Sequence, residues 1–250
     1  MVVFGCTLND LAILYYKPVP TFLEKCFALI IEKGLDTEGI FRINGDHSEI
    51  QQLKNQIDAT NDITFPENVS VFCVANIIFR FFESIKNHVL IDSRADEWKN
   101  AETKEQLKSL YEKLPLMNRA LLSRLFGFLY IVQQHSDQNK MGSSNLAIQI
   151  SPNLLEFKPQ ATENDPTLIS HQNFLKVVTT MIDEYFYIFE SMLSIDKDGQ
   201  FLSEDDFADS IGDICMEFFC KSSPVSLNLK PIADEKHCRL NRNIPIQRPE

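Results

Sequence analysis

Gly39-Ile40-Phe41-Arg42-Ile43-Asn44-Gly45 sets one arginine between apolar residues, in a short segment with a glycine at each end. Glycine tolerates backbone conformations closed to other residues, so such a loop can push a side chain forward. Arg42 therefore has two readings. It is a solvated surface residue, as most arginines are, or it is delivered to a partner. Its surroundings favour the second.

Upstream, Asp36-Thr37-Glu38 leads into the loop and follows an apolar segment that ends at Gly34. Far downstream come Asn139-Lys140-Met141, then Asn145-Leu146-Ala147-Ile148, then Ser151-Pro152-Asn153-Leu154-Leu155. Between these motifs the apolar residues recur at helical spacing. Thr21 to Lys33 places Phe22, Cys26, Leu29 and Ile30 on one face, with Pro18 and Pro20 before it and Gly34 after it. Asp46 stands as an N-cap, with Glu49 as the return acceptor of a capping box. Ile50, Leu53 and Ile57 then form one stripe.

Ser70 is placed to cap the next helix. There Val71, Val74, Ala75, Ile78, Phe82 and Ile85 recur at three and four residues, and the other face is apolar too. A helix apolar all round belongs at the centre of a bundle. Further helices are expected around Leu107, Leu110 and Tyr111, over 118–134, over 145–155 with a break at Pro152, and over 172–192. After Leu193 the character changes. Residues 203–219 predict one more amphipathic helix through Phe207, Ile211, Ile214 and Phe218. From Lys221 onward six Lys or Arg face three Asp or Glu, without a period, which reads as a disordered, flexible basic tail. The fold class expected is all-α.

The chain has 250 residues, 44% of them hydrophobic, enough for one core and marginal for two domains. A net charge of −11 argues against sequence-independent binding to nucleic acid and against docking on anionic lipid. The six cysteines lack CxxC spacing and read as reduced thiols of a cytoplasmic protein. The histidines have no metal-like spacing, so neither metal nor cofactor is expected. No Gly-rich phosphate loop precedes a lysine. The longest apolar stretch, 69–82, contains Ser70, Asn76 and Arg80 and is too short to insert across a bilayer. Met1 is not followed by a basic n-region, so no signal peptide is expected. Ser194, Asp196, Asp198, Gly199 and Asp205 mimic a calcium loop, but that loop needs Asp first and Glu last. A capped turn is expected instead. Phe79, Phe81 and Phe82 read as core and rim.

The ordered motif set resembles the RhoGAP, or breakpoint-cluster-homology, domain family. The resemblance starts at Val3-Phe4-Gly5, continues through residues 19–26 and 34–42, and runs to about Phe189. It implies a single-domain helical bundle over 3–192, followed by an additional helical segment at 193–220 and the flexible tail at 221–250. It implies a protein that is not itself an enzyme but activates a partner: a Rho-family small GTPase in its GTP-bound state. Arg42 would then be the arginine finger, supplied in trans. Asn153 would contact the GTPase, or else cap a helix end beside Pro152. Arg80 would lie at the same interface. Gly39, Gly45 and Asn145 would support the loops, with Asn145 closing the turn after Asn139-Lys140-Met141. A monomer in the cytoplasm is implied.

The sequence departs from the family pattern in one helix. Where the family carries a lysine and, four residues on, an arginine, this chain has Phe79 and Glu83. Arg80 is displaced by about 100° round a helix from Phe79 and compensates poorly. Asn44 replaces a usual serine. A binding module or scaffold with weak or no activation therefore stands as the alternative to an active one.

Overall fold

The computed structural model describes residues 2–156 and 166–211. Helices follow one another as α1 (Leu8–Tyr15), α2 (Thr21–Lys33), α3 (His47–Thr60), α4 (Val71–Ser84), α5 (Ala95–Lys99), α6 (Lys104–Glu112), α7 (Leu116–Gln134), α8 (Ser136–Asn139), α9 (Ser143–Ile150), α10 (Pro166–Asp183), α11 (Tyr185–Ile188) and α12 (Glu204–Ser210). Among the described residues one isolated bridge, Ile195 with Phe201, stands in place of any sheet. The fold is all-α.

Helix α2 has the bounds its apolar stripe predicts; it buries Phe22, Cys26, Phe27 and Ile30 and packs on α4. Helix α4 packs on α2, on α3 and on a 3-10 turn at Ser151–Asn153. Helix α7 is buried on nearly every side, including Leu121, Leu125, Phe128 and Leu129. It meets α1, α9, α10 and α11. The helix expected over 145–155 starts earlier, at Ser143, and tightens into the 3-10 turn at Ser151. Pro152 has no N–H to continue the α ladder.

Three local expectations change. Asp46 caps α3 by accepting the N–H of Glu49 at 2.9 Å. The Glu49 carboxylate does not return to Asp46; it accepts the N–H of Ser70 at 3.0 Å and the Cys73 thiol at 3.1 Å. It thereby caps α4 from α3, and the Ser70 side chain makes no cap bond. The helix expected over 172–192 breaks between α10 and α11. Tyr185 turns inward, where its hydroxyl accepts the N–H of Ser194 at 2.6 Å. Helix α1, which the apolar pattern did not mark, starts at a reciprocal capping box of Thr7 and Asp10.

The segment after Leu193 shares the core. Ile195, Phe201, Phe207 and Ile211 are buried or nearly so, and Leu202 is partly buried. Arg124 of α7 is 1% exposed and donates through Nε to Glu24 Oε1 at 2.9 Å, through Nη2 to Glu24 Oε2, and through Nη1 to the Leu202 carbonyl at 3.0 Å. The rings of Phe201 and Phe207 lie 3.8 and 4.9 Å from its guanidinium carbon. Burial pushes the Glu24 carboxyl up, and the Arg124 guanidinium acts against that shift. The rest of the helix expected over 203–219 and the tail at 221–250 lie outside the described residues.

Candidate functional site

The Gly39–Gly45 segment joins the end of α2 to the start of α3 as a tight turn. The Gly39 carbonyl accepts the N–H groups of both Arg42 and Ile43, each at 2.9 Å. Gly39 has φ +74°, which favours glycine. A Cβ there would also stand 2.7 Å from Ile43 Cδ1. Gly45 acts differently from the expectation. Its backbone is not left-handed; a Cβ would stand 2.5 Å from Cys73 Sγ and 2.6 Å from the Cys73 backbone nitrogen. Gly45 is needed because the loop lies directly on the first turn of α4.

Phe41 carries the unusual conformation. Its φ is +70°, a region that costs a non-glycine residue about 1–3 kcal/mol. The ring is 4% exposed. It stacks on Phe79 of α4, with centroids 4.9 Å apart and planes 29° apart. Its edge meets Phe128 of α7 at 5.8 Å. Burying a phenylalanine contributes about 1.5–3 kcal/mol, and each aromatic pair about 0.5–1.5 kcal/mol more. Burial therefore outweighs the strain. With Phe41 pinned inward, Arg42 stands exposed beside exposed Ile43 and Asn44. Neither Arg42 nor Arg80 enters an ion pair among the described residues.

Asn139 holds the turn from below. Its side chain is fully buried. Nδ2 donates to the carbonyls of Leu35 at 2.7 Å and Val132 at 2.9 Å, and Oδ1 accepts the N–H of Met141 at 2.7 Å. Its own carbonyl accepts the N–H of Gly39 at 2.8 Å. Sequence reasoning saw Asn139 only as part of a motif and gave it no role. The available signal was an asparagine at the polar junction after a long apolar helix, where a buried amide can satisfy helix-end carbonyls. Asp36 and His135 add an exposed pair at 2.7 Å beside this junction.

Of the other expected residues, Arg80 lies on α4 and Asn153 on the turn packed against it, while Asn145 stands apart on α9. Asn76, Phe79 and Arg80 are half-buried and Glu83 is exposed, so these four form the outer face of the helix. Phe79 and Arg80 share that face despite the angle between them, because the open face is wide. Asn153 is half-buried on the 3-10 turn packed against α4, with Nδ2 donating to the Gln149 carbonyl at 3.2 Å. Asn145 is exposed, and its Nδ2 donates to the Lys140 carbonyl at 3.0 Å, closing that turn. The arginine turn, the outer face of α4 and the Asn153 turn are thus joined through α4.

The calcium-like stretch is a capped turn. Ser194 is buried and donates to the Ser123 carbonyl at 2.8 Å, so its oxygen faces the core. Asp196 Oδ1 accepts the N–H groups of Asp198 and Gln200 at 2.9 and 2.8 Å. Among the described residues no His, Cys, Asp and Glu group is arranged to hold a metal ion. Among them also, no helix is long and apolar enough to cross a membrane. Burial pushes the Cys26 thiol up, and burial with the Glu49 carboxylate pushes Cys73 up to about 11.

The RhoGAP domain model matches residues 20–159. The chain is 34% identical over 166 residues to the Rho GTPase-activating protein gacY of Dictyostelium discoideum, covering 62% of this chain and 23% of that protein. It is 30% identical over 185 residues to the human Rho GTPase-activating protein 25, covering 68% of this chain and 28% of that protein. The match thus spans less than a third of either relative's length. The crystal structure of human Rho GTPase activating protein 15 superposes with a TM-score of 0.67 at 25% identity, covering 75% of this chain and 92% of that one. The BH domain of GRAF shares the fold, with a TM-score of 0.61 at 19% identity, covering 69% of this chain and 95% of that one. With the family model over more than half of its residues, and with the helical fold of solved members, the chain belongs to the RhoGAP domain family.

Proposed function

We propose that this chain binds a GTP-loaded Rho-class GTPase and accelerates its GTP hydrolysis, with Arg42 supplied in trans. A GTPase stabilises the transferring phosphoryl group poorly by itself, and negative charge spreads over the phosphoryl oxygens as bonds change. A guanidinium is planar, permanently charged and presents a fork of donors suited to those oxygens. Such an arginine is worth roughly 10³ to 10⁵ in rate. One observation carries the reading: Arg42 is exposed and, among the described residues, without an ion pair, in a turn whose neighbour Phe41 is buried. Asn153 and Arg80, joined to that turn through α4, are assigned to the docking surface, and Gly39, Gly45 and Asn145 to loop support. The activity is assigned, in a cytoplasmic monomer, to the bundle of residues 3–192 together with the segment 194–211 that packs into its core.

Single-turnover GTP hydrolysis against a panel of Rho-class GTPases tests the assignment. Arg42→Ala is expected to remove nearly all acceleration while keeping the melting temperature and most of the affinity, because the arginine acts on transition-state charge. A rate within twofold of the unmodified chain would sink the finger assignment. A binding module with little activation is the second reading. Exposed Glu83 on the outer face of α4 favours it, since an acidic group stands where the resemblance implies a cation. Tight binding of the unmodified chain without acceleration would establish that reading instead.

A further inference from the structure

We infer that Phe79 is a positioning residue for Arg42, acting through Phe41; the inference rests on the assignment of Arg42 above. Phe41 is the residue immediately before Arg42 and sits in the left-handed region at φ +70°. A bulky residue keeps that conformation only where its surroundings over-determine it. The surroundings here are two rings from two helices. Phe128 of α7 meets the edge of Phe41, and Phe79 of α4 covers its face at 4.9 Å. Phe128 is itself locked, because its ring lies 4.6 Å from that of Phe27 in α2. Phe79 differs. It is half-buried on the outer face of α4, whereas Phe128 is buried, so of these two rings it is the one that reaches the protein surface.

A geometric consequence follows. Gly39 holds both following N–H groups on one carbonyl, so the turn has little slack. Rotation of the Phe41 ring away from Phe79 would be passed to the Arg42 backbone one residue on. A misplacement of about 1 Å costs on the order of 10²-fold in a reaction that depends on positioning. Phe79 therefore does more than fill space. Its ring plane fixes the direction in which Arg42 leaves the turn.

The test is single-turnover GTP hydrolysis by a responsive Rho-class GTPase, measured over a range of concentrations of this chain. Phe79→Leu keeps apolar volume and removes the ring. The saturating rate is expected to fall about tenfold, with the half-saturating concentration changed less than twofold. Phe79→Tyr keeps the ring and is expected to restore the rate. Phe41→Leu and the double variant complete a cycle. If the stack is the route, the double variant is no slower than Phe41→Leu alone. Melting temperatures are recorded for each variant, and Phe79→Met replaces Phe79→Leu if the latter melts markedly lower.

Arg42→Ala runs beside them. If it loses no rate, the finger assignment fails and the inference falls with it. If Arg42→Ala is inactive but Phe79→Leu keeps its saturating rate, the finger stands and the positioning role alone is overturned. A Phe79→Leu defect confined to the half-saturating concentration likewise overturns it and makes Phe79 an ordinary docking contact.

Discussion

The carbonyl of Asn139 accepts the N–H of Gly39 at 2.8 Å, tying the end of α8 to the turn that presents Arg42. The same residue's amide bridges the Leu35 carbonyl, just past the end of α2, and the Val132 carbonyl in the last turn of α7. A buried amide is thus the common support of three segments that are far apart in the chain. Asn139→Ala removes three side-chain hydrogen bonds, taking the donor from the Leu35 carbonyl and the acceptor from the buried Met141 N–H, while the Val132 carbonyl keeps the His135 N–H. Each such loss costs about 1–3 kcal/mol before relaxation. A destabilisation of about 2–4 kcal/mol is expected by urea unfolding, together with a slower activation rate. A loss under about 0.5 kcal/mol would show that water replaces the amide.

The buried pair of Glu24 and Arg124 gives a second prediction. Glu24→Gln leaves the buried Arg124 charge without its paired carboxylate, with the Leu202 carbonyl and two phenylalanine rings as its other contacts. Breaking one side of such a pair costs about 3–5 kcal/mol. Replacing both, as Glu24→Leu with Arg124→Met, is expected to cost far less. Chemical denaturation of the two variants side by side checks the contrast, and equal losses would refute it.

The outer face of α4 separates two substitutions that look alike in sequence. Phe79 is stacked on Phe41, so placing a lysine there removes a ring the turn depends on. Glu83 is exposed and can be changed without touching the core. Glu83→Arg is expected to tighten binding to a GTPase carrying a non-hydrolysable GTP analogue several-fold, more at low salt, since charges at an interface rim are screened beyond about 10 Å at 0.1 M salt. Titration calorimetry at two salt concentrations reads this directly. An unchanged affinity would place Glu83 outside the interface.

Truncation distinguishes the two parts of the C-terminal region. Cutting after Met192 removes Ile195, Phe207 and Ile211 from the core, the partly buried Phe201 packed against it, and the Leu202 carbonyl from Arg124. Losing several buried side chains at about 1.5–3 kcal/mol each is expected to unfold or strongly destabilise the bundle. Cutting after Phe219 removes a basic stretch with few large apolar residues. Melting temperature and activation rate are expected to stay nearly unchanged. A rate that rises on that second truncation, and only at low salt, would make the basic tail inhibitory.

Thiol labelling supplies a fifth. Cys26 is fully buried, and Cys73 is buried with its thiol pushed up to about 11. The thiolate is the reactive form, so neither is expected to react with iodoacetamide in the folded protein near neutral pH. Mass spectrometry of native and urea-unfolded samples compares them; rapid native labelling of Cys73 would show that the α3–α4 junction opens.

Much of this was written along the chain. The apolar period of residues 21–33 gave α2 to the residue. The all-round apolar reading of residues 71–85 went too far, because α4 is buried on one side and carries Asn76, Phe79, Arg80 and Glu83 on its outer face. Asp46 could be read as a cap because a cap bonds three residues ahead. The order of the motifs was enough to recognise the family. The role of Glu49 was misread, because its acceptors' partner is Ser70 of the next helix rather than its own cap. The short helix α1 was passed over because its apolar stripe is brief, although Thr7 and Asp10 carried the signal.

Legible along the chain are the long helices with their apolar faces, the all-α class and the family, but not the short α1 or the break between α10 and α11. Each legible feature is fixed by residues within a few positions of one another or by their order. The tertiary structure alone decided what holds the Arg42 turn: Phe79 over Phe41, Cys73 against Gly45 and the Asn139 carbonyl on Gly39. It also decided that residues 194–211 belong to the core through Arg124. The physical reason is the same in each case. A helix's period tells which face is buried but not which ring or carbonyl will meet it, and that choice is made by packing between segments the chain separates by tens of residues.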